Sequence, residues 1–107
     1  MQLKGHVHYN SMLDKFDLVF WVEDAGQIVT ANLGLLNWQI YTIEGQAMPN
    51  PDATGANVAA NASAVYAITE VSGPTFISNG QSYLVFVSTV VDGQPLSTFI
   101  PFIITNI

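Results

Sequence analysis

The sequence predicts an all-β fold: one antiparallel β-sandwich of about seven strands, forming a single domain over residues 1–107. Three observations predict it. Runs rich in β-branched and aromatic residues recur along the chain, separated by turn residues. No segment sustains a 3.6-residue apolar period with helix caps. Two long strand-like runs, Gln81 to Val91 and Pro95 to Thr105, flank Asp92-Gly93, and Asp-Gly between such runs is the strongest short hairpin signal.

Gln2 to Tyr9 alternates, with Leu3, Val7 and Tyr9 on one face and Lys4, His6 and His8 on the other; Gly5 interrupts the apolar face. Lys15 to Glu23 is the cleanest strand: Phe16, Leu18, Phe20 and Val22 alternate with Asp17, Val19, Trp21 and Glu23. Asp24-Ala25-Gly26-Gln27 reads as a turn, followed by a short strand within Ile28 to Asn32. Leu36 to Glu44 is a further strand, with Trp38 on its apolar face. Residues 46–62, rich in Pro, Asn, Ala and Gly, read as a long loop with a short strand near Val58. Ser63 to Val71 is the last strand before the hairpin.

Composition narrows the function. Half of the residues are hydrophobic and 9% are charged, against about a quarter in ordinary domains. Eight acidic residues face only Lys4 and Lys15, for a net charge of -6. Nucleic acid and anionic membrane surfaces are therefore poor partners. With no cysteine, thiolate chemistry and disulfides are excluded. No apolar run suggests a membrane span, and residues 1–10 lack the pattern of a signal peptide.

Ile77-Ser78-Asn79-Gly80-Gln81-Ser82-Tyr83 leads into the first hairpin strand. This apolar-x-x-Gly-x-x-Tyr spacing resembles the tyrosine corner of Greek-key sandwiches, with Ile77 plugging the core, Gly80 at positive φ and Tyr83 closing the corner. Together with Trp38 it makes the chain similar to immunoglobulin-like and fibronectin-like sandwiches, without the antibody disulfide. A looser likeness is to accessory domains of phage virion and tail proteins. It rests on Phe20-Trp21-Val22 followed by Glu23-Asp24-Ala25-Gly26-Gln27, on Trp38-Gln39-Ile40-Tyr41 before Gly45, and on the charge-poor Asn/Ala/Thr texture.

The hairpin carries too many apolar residues for one buried face. With Tyr83, Val85, Val87 and Thr89 inward, Leu84, Phe86, Ser88 and Val90 point outward; the second strand adds Phe99 and Ile103, on one face with Ser97, Pro101 and Thr105, and Tyr41 joins them if its strand neighbours the hairpin. A doubly apolar hairpin points to an interface. Tyr41, Leu84, Phe86, Val90, Phe99 and Ile103 are its expected residues.

Candidate chemistry is sparse. His6-Val7-His8 places two imidazoles on one strand face, a spacing that chelates metal in trimeric phage fibres, but no third ligand is specified. The carboxylates fall mainly at turns and strand ends. No serine nucleophile motif or phosphate-binding glycine loop is present. We expect no catalytic residues and no cofactor. The expected function is a structural virion component (decoration, tail or fibre-associated), forming homo-oligomers or binding other virion proteins. The alternative is a glycan- or protein-binding module at an extracellular or cell surface, using Trp21, Tyr66 and the 46–62 loop.

Overall fold

The computed structural model describes residues 1–10, 15–48, 54–72 and 82–103. Every regular element among them is a strand: β1 (Gln2–Asn10), β2 (Lys15–Asp24), β3 (Gln27–Ile28), β4 (Leu36–Thr42), β5 (Thr54–Val58), β6 (Tyr66–Ser72), β7 (Ser82–Val91) and β8 (Gln94–Ile103). They form two antiparallel sheets. In the first, β2 lies between β1 on one side and β3 and β6 on the other; the second runs β5-β4-β7-β8. The described strands number eight rather than about seven, because the 46–62 stretch contributes the paired strand β5.

The apolar faces of the two sheets meet in one core, an arrangement consistent with a β-sandwich. From the first sheet come Leu3, Phe16, Leu18, Phe20, Val22 and Tyr66; from the second, Leu36, Trp38, Ile40, Tyr83, Val85, Val87 and Val91. The period-2 pattern places them there. Along β2 every second side chain is buried and those between are half-exposed, and β7 alternates in the same way. At one end the aromatic layer crosses between sheets: Phe16 meets Phe102 edge-on at 5.7 Å, and Phe102 stacks on Tyr83 at 5.7 Å.

Two hairpins use two-residue turns with both central residues at positive φ, the type I′ geometry that matches strand twist. Asp92 (φ 51°) and Gly93 (φ 79°) join β7 to β8. Ala25 (φ 54°) and Gly26 (φ 81°) join β2 to β3. Ala25 has no side-chain group to offset the left-handed conformation, which costs an ordinary residue about 1–2 kcal/mol. We expect Ala25→Asn to raise stability by about 1 kcal/mol, read as a higher urea midpoint at unchanged slope.

The short strand expected near Val58 spans residues 54–58 and pairs with β4. Their Gly, Ala and Asn are weak strand formers, but Gly55 pairs with Trp38, whose indole lies over it and leaves no room for a Cβ. Tyr66 is fully buried, not a surface aromatic. The corner residues Ile77 and Gly80 lie outside the described residues. Tyr83 is buried at the start of β7.

Candidate association face

The antiparallel register fixes which side chains share the outer face of the second sheet. Tyr41, Leu84 and Pro101 form one row across β4, β7 and β8; Gln39, Phe86 and Phe99 form the next; Asn37, Ser88 and Ser97 the third. Val90 pairs with Pro95 beyond them, and Ser82 pairs with Ile103 at the other end. All six expected interface residues, Tyr41, Leu84, Phe86, Val90, Phe99 and Ile103, therefore stand on this face. Their inward neighbours on β7 fill the core.

The aromatic residues form a cluster. Phe86 and Phe99 lie 4.9 Å apart between ring centroids, and Tyr41 meets Phe99 edge-on at 6.2 Å. Phe99 and Ile103 are each 55% exposed and Val90 46%, large fractions for side chains of this size. Beside the cluster a shallow groove of about 560 Å³ is lined by Leu35, Phe86, Val90 and Pro95, with Asn37, Ser88 and Ser97 among its other walls.

None of β4, β5, β7 or β8 contains an Asp, Glu, Lys or Arg. The first sheet holds all the charged strand residues. On its outer face Glu23 Oε2 accepts from Lys4 Nζ at 3.1 Å and from Trp21 Nε1 at 3.2 Å. His6 meets the Trp21 ring edge-on at 5.9 Å. Trp21 is thus half-buried and engaged by its neighbours rather than a free stacking platform.

The hydrogen bond from Lys4, then that from Trp21, holds the Glu23 carboxyl below its ordinary 4.5. A lowered folded pKa stabilises the fold above the unfolded value, and the gain is lost as pH falls through the folded value. An NMR titration is expected to find the Glu23 midpoint below 4.5, with Lys4→Met moving it upward. A Glu23 midpoint unmoved by that substitution would count against the pair.

His6 and His8 are exposed on β1, where His8 pairs across the ladder with Asp17. Among the described residues no three His, Cys, Asp or Glu come together as a metal site.

Ser88 and Ser97 stand on the hairpin faces that alternation assigns them, beside Phe86 and Phe99, whereas Leu35, Asn37 and Gln39 were not among the residues expected at this face. Comparison with protein-family models, curated proteins and solved structures finds no match.

Proposed function

We propose that this chain is a non-enzymatic structural or assembly protein, a phage virion component of the decoration, tail or fibre-associated kind, that self-associates through the outer face of its C-terminal hairpin. The observation that carries this reading is the second sheet: an aromatic cluster spanning β4, β7 and β8 on a four-stranded sheet whose strands carry no Asp, Glu, Lys or Arg. Solvent-facing sheet surfaces ordinarily alternate to polar residues, and open edges are guarded by charge. Burying a large apolar side chain contributes about 1.5–3 kcal/mol. The partly exposed Phe99, Ile103, Val90 and Phe86 together retain roughly 4–6 kcal/mol of that for a partner to gain, before association costs.

The order β1-β2-β6 against β5-β4-β7-β8 supports an immunoglobulin-like Greek-key reading, with β5 extending the sheet that holds the hairpin. Burial of Tyr66 removes a main support of the glycan-binding alternative.

Sedimentation velocity on the full chain tests the assembly reading. We expect a concentration-dependent oligomer that Phe99→Lys weakens at least tenfold. A wild-type chain that stays monomeric at high concentration would sink the idea. Peptide mass spectrometry of gradient-purified particles tests the virion assignment separately; absence of the chain from them would remove it.

A further inference from the structure

We propose that the partner on this face is a second copy of the chain, packed sheet face on sheet face about a two-fold axis. Each copy's Phe99 then enters the other's groove beside Leu35, Phe86, Val90 and Pro95. This inference rests on the proposed self-association and adds the partner and the geometry.

The β8 edge is the obvious competing contact, since among the described residues β8 pairs only with β7. Its prolines close it. In an antiparallel ladder, alternate residues turn their N–H and C=O toward the neighbour and away from it. The carbonyl of Val90 accepts from Gly34 N at 2.7 Å, so it points away from β8. Its register partner Pro95 is therefore in a pair that exchanges no ladder bonds. By the same parity Ser97, Phe99, Pro101 and Ile103 also direct their backbone groups to the open side. Pro95 and Pro101 fall at outward positions, where the missing N–H breaks no bond to β7. They leave only Ser97 and Phe99 as consecutive outward donors, too short a stretch for an added strand. What remains open is the face.

Area and charge favour a second copy. Two ten-residue strands, one of seven and one of five, about 4.8 Å apart and rising about 3.3 Å per residue, present about 500 Å². Two copies hide about 1,000 Å², the threshold for a specific interface. A chain of net charge -6 repels its own copy. Here the charged strand residues lie on the opposite sheet, about 10 Å or more behind the contact, beyond the screening length of about 8 Å at physiological salt. Glu44 and Asp92 flank opposite ends of the second sheet, outside the strands. The surface is also self-complementary. The Phe86–Phe99 row that projects and the Ser88–Ser97 row that recedes are adjacent, so a two-fold axis between them sets knob against groove in both copies.

Sedimentation velocity and circular dichroism on four variants test this. Ser88→Lys lies in the groove on β7, and Gln39→Lys lies on β4, two strands from the β8 edge. Both are expected to stay folded and to weaken the dimer at least tenfold, as Phe99→Lys does. Thr69→Lys, exposed on β6 of the other sheet, is expected to leave the dimer unchanged. A dimer that survives Ser88→Lys and Gln39→Lys but not Phe99→Lys places the contact on β8 alone and overturns the face-to-face geometry. Open-ended oligomers overturn the two-fold axis. A wild-type chain monomeric throughout overturns the underlying self-association instead.

Discussion

Tyr66→Ala is expected to lower stability by about 4–5 kcal/mol, leaving a marginal fold, whereas Tyr66→Phe is expected to cost about 1–3 kcal/mol. Tyr66 has no exposed surface and sits on β6 of the first sheet. Its hydroxyl crosses the core to donate to the carbonyl of Gly34, which precedes β4 of the second sheet. Thr89 on β7 donates to the neighbouring carbonyl of Leu35 at 2.9 Å, and the two hydroxyl oxygens lie 3.2 Å apart. Each hydroxyl has one hydrogen and each is committed to a carbonyl, so the 3.2 Å contact is at most the minor branch of a bifurcated donor. The pair thus satisfies two carbonyls on the segment that carries the chain between sheets. Gly34 N and Asp92 N complete the latch, bonding Val90 O and Asn32 O at 2.7 and 3.0 Å.

Truncation to Ala removes the ring from a close-packed site together with the donor to Gly34. Truncation to Phe keeps the ring and strips the donor from Gly34. Urea unfolding of both variants measures the difference. Equal losses would mean that the hydroxyl alone matters; a loss under about 0.5 kcal/mol for Tyr66→Phe would mean that packing alone matters and that water replaces the phenol. The latch also bears on the association face, because Leu35 follows Gly34 and lines the groove. Tyr66→Phe is therefore expected to weaken self-association as well as the fold.

The strands of this protein were legible where a single periodicity governed them. Phe16, Leu18, Phe20 and Val22 announced β2, and Asp92-Gly93 set the β7–β8 register from which the outer face follows. What local sequence could not show was pairing at a distance. β5 has the composition of a loop and becomes a strand because β4 offers a ladder and Trp38 a roof over Gly55. Tyr66 looked like a surface aromatic because its strand has weak alternation, with Ala64, Tyr66 and Ile68 on one side and Val65, Ala67 and Thr69 on the other. Its burial depends on the hydroxyl finding acceptors 32 residues earlier in the chain, at Gly34. The apolar members of the candidate face were visible from alternation. Ser88 and Ser97 follow from the same alternation, but Asn37 and Gln39 join them only through the long-range pairing of β4 with β7.

Gly5 is the other position where a small change is expected to act strongly. In the sequence it only interrupts an apolar face. In the fold it pairs with Phe20, and the ring of Phe20 occupies the space in which a Cβ at position 5 would stand. The carbonyl oxygen of Val19 crowds the same point. Phe20 is completely buried between the sheets, so its ring cannot swing outward, and a backbone oxygen yields less readily than a side-chain tip. Gly5→Ala should therefore shift β1 on β2 or displace Phe20, at about 3 kcal/mol, the upper part of the range for overpacked cores. The usual gain from replacing a strand glycine, about 0.5–1 kcal/mol, is too small to offset this. Relief at the partner distinguishes overpacking from other causes. Phe20→Leu alone removes ring volume and destabilises, but the loss in Gly5→Ala/Phe20→Leu is expected to fall short of the sum of the two single losses by about 1 kcal/mol or more. A double-mutant cycle by urea denaturation reads this directly. Strict additivity, or a stable Gly5→Ala, would show that the Phe20 ring does not confine position 5.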